Sequence, residues 1–204
     1  VPRRKKTPSS ANRSARYNAG LLSPRTLLAA AMLIRPEHTA DETAIHRITE
    51  IAFAAHSHSN HTEAEIVRTL RADDDLTVSL VAEIGDHIAG HIAFSPVAIE
   101  GRHEHWFGLG PLAVLPALQG QGVGAKLVER GLAKLRARGA NGCAVLGDPG
   151  FYGRFGFRSD GALRYGTLPI RLVQWIAFEG DPPSGELSYA RAFDLAGPYG
   201  QPRR

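Results

Sequence analysis

Three glycines, Gly120, Gly122 and Gly124, stand at the start of a segment that otherwise has the pattern of an amphipathic helix, "LPALQGQGVGAKLVERGLAKL" at residues 115–135. Glycine costs about 1 kcal/mol relative to alanine inside a helix, so its repeated use here needs a reason. Without side chains, successive backbone amides can approach a ligand closely, and the positive end of the helix dipole attracts an anion. The spacing therefore predicts a site for phosphate groups at the start of this helix.

Two common phosphate-binding patterns match this loop poorly. A P-loop requires Gly-Lys followed by Ser or Thr, whereas Lys126 is preceded by Ala125 and followed by Leu127. The dinucleotide pattern G-x-G-x-x-G/A is formally met by Gly120, Gly122 and Ala125, but that pattern turns directly off the end of a strand. Here "LPALQ" intervenes, so the dinucleotide interpretation is disfavoured.

Two helices are predicted after an initial strand at residues 32–35. Each helix begins with the residues of a capping box, Thr39 with Glu42 in the first and Thr62 with Glu65 in the second. The predicted buried faces consist of apolar residues at helical spacing. They are Ile45, Ile48, Ala52 and Phe53 in the first helix, and Ile66, Val67 and Leu70 in the second.

A series of strands surrounds the glycine loop. Alternation in "TVSLVAEI" predicts a strand that turns at Gly85-Asp86 into "HIAGHIAF". The next strand, 106–114, contains Pro111, which cannot donate to a sheet, so we expect a bulge or a break there. After the loop and its helix, "CAVLG" predicts a buried strand, "DPGFYGRFGF" a turn, a very short helix and a strand, and "LVQWIAF" and "ELSYARAF" the final strands. The whole pattern predicts a mixed α/β fold.

In this setting, Gln119-x-x-Gly122-x-Gly124 resembles the acyl-CoA pyrophosphate loop of the GNAT superfamily of N-acetyltransferases. The segment "LGPLAVLPALQGQGVGAKLV" resembles the fourth strand and following helix of that family, and "FYGRFGF" resembles the aromatic segment after its fifth strand. The resemblance covers residues 32–178. It implies a central, mostly antiparallel sheet flanked by helices, with splayed fourth and fifth strands. Residues 179–204 would add a C-terminal strand and tail that complete the domain.

The resemblance also implies a reaction, the direct transfer of an acetyl group from acetyl-CoA to a primary amine in a ternary complex, with no metal. The strand residues expected to bind the pantetheine arm are Leu112, Ala113 and Val114. A main-chain amide there would polarise the thioester carbonyl. The loop residues expected to bind the pyrophosphate are Gln119, Gly120, Gln121, Gly122, Val123, Gly124 and Ala125.

Tyr152 matches the tyrosine that protonates the departing CoA thiolate in many members of the family. A phenol can serve as such an acid, although Tyr152 could instead belong to an aromatic packing cluster with three nearby phenylalanines, Phe151, Phe155 and Phe157. The chain departs from the family pattern just before Tyr152, where residues 147–150, "GDPG", replace an asparagine and a longer helix. This departure puts an asparagine-type contact in doubt and makes Asp148 a weak candidate.

The group that accepts a proton from the amine is not marked by a motif. An amine is mostly protonated at neutral pH, so the reaction needs such a group, acting directly or through water. Glu83, His91 and His105 lie on or beside the strands expected to flank the site. Each is also explained by an ordinary surface or core position.

Other chemically suggestive residues have simpler explanations. His56, His58 and His61 do not share a helix face and lack partners for a metal site, so we expect a solvated loop, which the family resemblance implies to border the acceptor site. Cys143, the single cysteine, lies in an apolar strand and predicts a buried, inert thiol in a reducing compartment. The acidic residues Glu63, Glu65 and Asp73–Asp75 either attract a cationic amine or form a solvated helix face.

Charge is divided unevenly along the chain of 204 residues. Seven of the 24 Lys and Arg lie within residues 1–34, which contain no acid, so the remainder carries 17 basic against 20 acidic side chains. We therefore expect residues 1–31 to be a disordered basic extension, with an upstream translation start before Met32 or a transit peptide as explanations. Because the positive charge is not on the folded part, a nucleic-acid partner is not expected.

The sequence thus predicts a cytoplasmic acetyl-CoA-dependent N-acetyltransferase. Its longest apolar run is too short to span a membrane. Its acceptor would be a small-molecule or peptide amine whose identity the sequence leaves open, and a homodimer is the prior expectation for its assembly. The alternative is a non-catalytic acyl-CoA-binding or regulatory module with the same fold.

Overall fold

The structure is a computed structural model that describes residues 32–54 and 59–196. Within them, six strands form the main sheet in the order β1-β2-β3-β4-β5-β7, and all neighbours are antiparallel except β4 and β5. Strand β8 pairs with the far end of β3, and the two-residue β6 pairs with β8. The strands are β1 Met32–Pro36, β2 Val78–Ile84, β3 His87–Ile99, β4 Trp106–Val114, β5 Gly142–Leu146, β6 Leu163–Arg164, β7 Val173–Ala177 and β8 Gly185–Tyr189. The predicted mixed α/β fold with a mostly antiparallel sheet is confirmed.

Helices cover both faces of this sheet. They are α1 Glu42–Phe53, α2 Glu63–Ala72, α3 Val123–Ala137 and the single-turn α4 Pro149–Tyr152. On one face α3 packs through Leu127 and Val128, and Phe94 of β3 lies so close to Gly131 that a side chain there would overlap its ring. On the other face Ile45 of α1 and Val67 of α2 pack against Val81 of β2. The predicted apolar faces of α1 and α2 are buried as expected, with Phe53 only partly so.

Both predicted capping boxes are wrong. The chain enters α1 through a 3-10 turn, Thr39–Asp41, in which the His38 amide donates to the Asp41 carboxylate at 2.7 Å. Arg35 also donates to the Asp41 carboxylate, at 2.6 and 3.0 Å. Asp41, one residue before the expected Glu42, therefore serves as the acidic residue of the cap. Ahead of α2, the Thr62 hydroxyl donates to the side chain of Asn60 at 2.6 Å instead of capping the helix.

The bulge predicted at Pro111 is confirmed. Ile92 of β3 pairs with Leu112, but Phe94 pairs with Leu109, so three steps along β4 oppose two along β3. On its other side, β4 pairs with β5 over Trp106–Leu109 alone. The end of β4 is therefore separated from β5, and the two strands splay apart as the resemblance implied.

One predicted strand does not form. The end of "DPGFYGRFGF" continues from α4 into a 3-10 turn, Gly153–Phe155, and then makes only an isolated bridge between Arg158 and Trp175. Gly156 has a φ of +92°, which turns the chain before a strand can begin. The segment "ELSYARAF" forms β8 and then a 3-10 helix, Arg191–Ala196.

Several predictions lie outside the described residues or are untested by them. The basic extension 1–31, His56 and His58 lie outside these residues. The domain bounds at 178 and 204 stay predictions, although β8 is hydrogen-bonded to β3 and so is continuous with the rest of the fold. None of the helices described here is long and apolar enough to cross a membrane.

Candidate active site

The gap between β4 and β5 exposes the backbone of two β4 residues. The Leu115 amide donates to the Ala89 carbonyl of β3 at 3.0 Å, and backbone groups alternate in direction along a strand. Ala113 is therefore directed towards β3, where it pairs with His91, whereas Leu112 and Val114 are directed towards the gap. The geometry favours Leu112 and Val114 as groups that could bind an extended ligand, and it does not favour Ala113, whose backbone is turned the other way.

The predicted anion loop joins the end of β4 to α3. Gly120 and Gly122 have φ values of +73° and +85°, a conformation that favours glycine, and a side chain at either would meet no atom within 4 Å. The first intrahelical bond of α3 runs from the Lys126 amide to the Gly122 carbonyl at 3.0 Å. The amides at 123–125 precede it, and the first turn holds no acidic residue, so this helix end can receive an anion.

Gly124 serves a different purpose from the two glycines before it. It lies inside the first turn of α3, and a Cβ there would sit 3.6 Å from Phe151, 3.6 Å from Val114 and 3.8 Å from Leu112. These are ordinary contact distances. The third glycine therefore marks the place where the helix start, the end of β4 and the aromatic segment converge.

The two glutamine side chains of the loop turn back on the loop itself. Gln119 donates to the Val114 carbonyl at 3.1 Å, and Gln121 donates to the Ala117 carbonyl at 2.8 Å. Both side chains thus hold the loop to the end of β4 and to the turn before it. The Gln119 amide also donates to the Pro116 carbonyl at 3.3 Å, so the amides that follow it in the loop are the ones placed to act on an anion.

Tyr152 lies on the β5 side of the gap. Its half-buried ring rests on Gly147, the first residue after β5, where any side chain would overlap the ring. Phe151 and Phe157 pack edge-on against it, with ring centroids 4.9 and 5.7 Å away. Asp148 caps α4 by accepting from the Gly150 amide at 3.1 Å, so the structure gives this weak candidate a local structural role.

The three candidate proton acceptors fall in very different places. Glu83 accepts from Arg35 Nε at 2.5 Å and so belongs to an ion-pair network with β1. His105 is exposed in the turn before β4, at the opposite end of that strand from Leu112. His91 is fully buried on β3, paired with Ala113 beside the gap. Of the three, only His91 lies next to the predicted site.

His91 belongs to a chain of polar side chains that sequence reasoning missed. Its Nε2 lies 2.8 Å from the Ser79 hydroxyl, which donates in a short hydrogen bond to the Glu37 carboxylate. Arg71 of α2 donates to the same carboxylate at 2.9 and 3.1 Å. These residues are 12 to 54 positions away from His91, so no local motif could have revealed the cluster.

The cluster shifts the pKa values of both its titratable partners. Burial raises the pKa of Glu37, but His91, whose Nε2 lies 3.5 Å from the carboxylate, and hydrogen bonds from Arg71 and Ser79 outweigh it and bring the pKa to about 2. Burial lowers the pKa of His91, and the nearby Glu37 only partly opposes that effect. At neutral pH the pair is therefore a carboxylate and a neutral imidazole.

The remaining chemically suggestive residues show no built site. Cys143 is buried in β5, and burial raises the pKa of its thiol, as an inert position requires. Asp73 pairs with Arg191 at 3.1 Å, and Glu65 pairs with Arg68 at 2.6 Å. In the described part of the chain, no group of three His, Cys, Asp or Glu residues is placed to hold a metal ion.

Comparison with known proteins identifies the class to which this fold and gap belong. The sequence model of the acetyltransferase (GNAT) family matches residues 43–157, more than half of the chain. The chain is therefore a member of the GNAT acetyltransferase family, as its glycine loop and splayed strands indicate.

Two relatives and two solved structures make the likeness more specific. The uncharacterized N-acetyltransferase YhbS of Escherichia coli K12 is 40% identical over 127 residues, which cover 62% of this chain and 73% of the relative. The uncharacterized N-acetyltransferase YjhQ of the same strain is 34% identical over 124 residues, which cover 59% of this chain and 67% of the relative. A GNAT family acetyltransferase from Brucella melitensis, solved with acetyl-CoA, has a TM-score of 0.73 and 48% identity over 81% of this chain and 99% of its own. The structure of E. coli YhbS with CoA has a TM-score of 0.76 and 32% identity over 84% and 97%.

Proposed function

We propose that this protein binds acetyl-CoA and transfers the acetyl group directly to a primary amine in a ternary complex. The observation that carries the proposal is the geometry of β4, whose bulge turns the backbone of Leu112 and Val114 into a gap that leads to the loop with Gly120 and Gly122. The complexes of the Brucella relative with acetyl-CoA and of YhbS with CoA support this choice of donor.

The chain's own groups would act on the donor at three places. The amides of the loop that follow Gln119, up to Ala125 at the positive end of α3, would bind the diphosphate. The backbone of Leu112 and Val114 would bind the pantetheine arm and polarise the thioester carbonyl, because an amide aimed at the developing oxyanion stabilises it. The hydroxyl of Tyr152 would protonate the sulfur as it leaves.

The balance of atoms follows from direct attack. The amine nitrogen forms a bond to the carbonyl carbon, and the carbon–sulfur bond breaks with its electron pair left on sulfur. Tyr152 gives its proton to that sulfur and regains one from the new amide nitrogen through solvent. A further proton, which the ammonium form must lose before attack, is released by the reaction.

The acceptor and the setting of the enzyme complete the proposal. We propose a small-molecule or peptide amine as acceptor, a homodimer as the assembly, and a cytoplasmic location that suits the single buried thiol. Asp73 and Glu65 form ion pairs with Arg191 and Arg68. Attraction of a cationic acceptor by these acids is therefore less favoured than the sequence alone suggested.

A binding and turnover experiment tests the proposal. Isothermal titration calorimetry measures the affinity for acetyl-CoA, and release of free CoA thiol is then followed with a panel of small amines, amino acids and peptides. We expect binding and amine-dependent thiol release. Tight binding with no release from any amine would favour a non-catalytic acyl-CoA-binding module, and absence of binding would overturn the proposal.

A further inference from the structure

A buried polar chain connects the interior of the sheet with an open cleft at its edge. It runs from His91 on β3 through Ser79 on β2 to Glu37, which follows β1. Arg71 of α2 donates to the Glu37 carboxylate and forms the last member of the chain. Glu37, Ser79 and Arg71 line a cleft of about 340 Å³ whose far wall includes Lys134 of α3. The outer end of the chain is thus near solvent, while His91 at its inner end has no exposed surface.

The direction of each hydrogen bond determines where the proton of His91 lies. The Glu37 carboxylate is ionised and can only accept, so the single hydroxyl hydrogen of Ser79 is directed to it. Ser79 must then accept from His91, which places the imidazole proton on Nε2. The Nδ1 atom consequently carries a bare lone pair, and it has no hydrogen-bond partner among the described residues.

The residue that carries this lone pair lies on β3, the strand that neighbours β4 and its gap. His91 is paired across the sheet with Ala113, and the residues on either side of Ala113 direct their backbones into the gap. Buried polar atoms are nearly always hydrogen-bonded, because leaving one unpaired costs free energy. A fully buried imidazole whose basic nitrogen is left without a partner therefore requires an explanation other than packing.

We propose that His91 receives, through a water molecule, the proton that the acceptor ammonium must lose before it attacks, with Ser79 and Glu37 as positioning residues. This inference rests on the proposed function. The proton moves to Nδ1 while Nε2–H still donates to Ser79, and the Glu37 carboxylate stabilises the imidazolium so formed. That proton is the one the overall reaction releases, and the exchange between Tyr152 and sulfur is unaffected.

The surroundings of His91 keep its imidazole neutral at rest but include one group that can stabilise its charged form. Burial of the ring opposes the imidazolium most strongly, Glu37 favours it, and Arg71 opposes it. The face that α1 buries against the sheet, Ile45, Ile48, Thr49 and Ala52, carries no charged group. His91 is thus neutral at rest, as a proton acceptor must be, and has one carboxylate positioned to stabilise its charged form.

Nitrogen NMR on the whole protein with ¹⁵N-labelled histidine tests the tautomer without knowledge of the acceptor. The His91 signals are assigned by their loss in His91→Gln. We expect long-range proton–nitrogen correlations of the Nε2–H form at neutral pH, and we expect Ser79→Ala to perturb them. A neutral His91 protonated on Nδ1 would overturn the inference, because its only bare nitrogen would then be the one facing Ser79.

The dependence of kcat/KM on pH then separates proton acceptance from a structural role. With the best amine of the panel, we expect His91→Gln to lower kcat/KM about 100-fold at neutral pH and to remove the acidic limb that belongs to the enzyme. Ser79→Ala and Glu37→Gln keep the imidazole but remove support for the imidazolium, so their acidic limbs should move to lower pH. Repeating the profile with an amine of different pKa distinguishes the limb of the enzyme from that of the substrate.

Thr49→Val is the matched control, because it removes another fully buried hydroxyl, one that donates only within α1 at 2.8 Å. It should leave the acidic limb in place. If His91→Gln fails to bind acetyl-CoA or to fold, the pH shifts of Ser79→Ala and Glu37→Gln decide. Unchanged profiles in these variants would overturn the inference while leaving the proposed function intact, whereas a wild-type protein that acetylates no amine would overturn both.

Discussion

The loop at the start of α3 and the polar chain behind β3 are the two chemically distinctive regions of this molecule, and they are built in opposite ways. The loop uses backbone groups of consecutive residues. Its glycines, Gly120 and Gly122, have φ values of +73° and +85°, a conformation that follows from the loop itself and not from contacts with distant residues. The polar chain uses side chains from two strands, one helix and the segment after β1, and each bond in it depends on the others. The first region is local and open to solvent, while the second exists only in the folded sheet.

This difference explains how well each region withstands substitution. A backbone site is damaged by anything that adds a side chain or a charge to it, since it has none of its own. A buried network is damaged by the loss of one partner, because the remaining polar groups are left unpaired.

The largest effect is expected when a carboxylate is placed in the loop. Gly122→Glu puts a negative side chain at a positive φ, where the diphosphate would bind, and should weaken acetyl-CoA binding about 1,000-fold, or about 4 kcal/mol. Calorimetric titration measures the change. Gly139→Glu is the matched control, with a φ of +71° and open space at the other end of the same helix, and should leave the affinity unaltered. Equal affinities for both variants would refute the loop assignment.

The next effect separates chemistry from packing on the β5 side of the gap. Tyr152→Phe keeps the ring against Gly147 but removes the hydroxyl, so turnover should fall about 100-fold while acetyl-CoA affinity is retained. Phe155→Leu removes a neighbouring ring, whose centroid lies 5.4 Å from that of Phe151. This variant should lower thermal stability without the loss of kcat. A Tyr152→Phe enzyme with normal turnover would mean that the tyrosine only packs.

The polar chain should make stability depend on pH through Glu37. Its pKa in the folded protein is about 2, below the ordinary 4.5, so its stabilising contribution is complete above pH 4.5 and is lost as the pH falls from there towards 2. Because Glu37 is only partly buried and solvent screens its interactions, the contribution should be on the order of 2–3 kcal/mol, less than the full pKa shift would give. Urea unfolding of wild type and Glu37→Gln at several pH values measures it. The gap between their unfolding free energies should shrink on acidification, and a constant gap would contradict the ionised, paired carboxylate.

The smallest effect contrasts two glycines of α3 that look alike in the sequence. Gly131→Ala should destabilise the protein by about 1–3 kcal/mol, because its methyl group would overlap the Phe94 ring. Gly124→Ala has room for the methyl group and should gain up to about 1 kcal/mol of helix propensity. Thermal unfolding of both variants tests this order, and a Gly131→Ala protein at least as stable as wild type would contradict the close packing of Phe94.

The region predicted best from the sequence is the one built from consecutive residues. The glycine spacing, the apolar stripe of α3 and the proline in β4 are all local signals, and each has a direct physical consequence for a loop, a helix or a break in pairing. These signals were sufficient to identify the family and, through the resemblance, to predict the splayed strands. The same local reasoning placed the capping boxes wrongly, because Arg35 and the His38 amide fix Asp41 ahead of α1 and Asn60 accepts from the Thr62 hydroxyl ahead of α2.

The tertiary structure alone decided which residues of distant segments meet. Nothing in the sequence sets His91 apart from Glu83 or His105, since all three are polar residues on or beside strands. Sheet register brings His91 opposite Ala113, side-chain direction places it under α1 and α2, and burial makes its hydrogen bonds consequential. The sequence by itself therefore determined the acetyl-CoA side of the proposed site, because a site made of backbone groups is built from consecutive residues. The proposed proton-accepting side was decided only by folding, because the residues of a buried network are far apart along the chain and follow no motif.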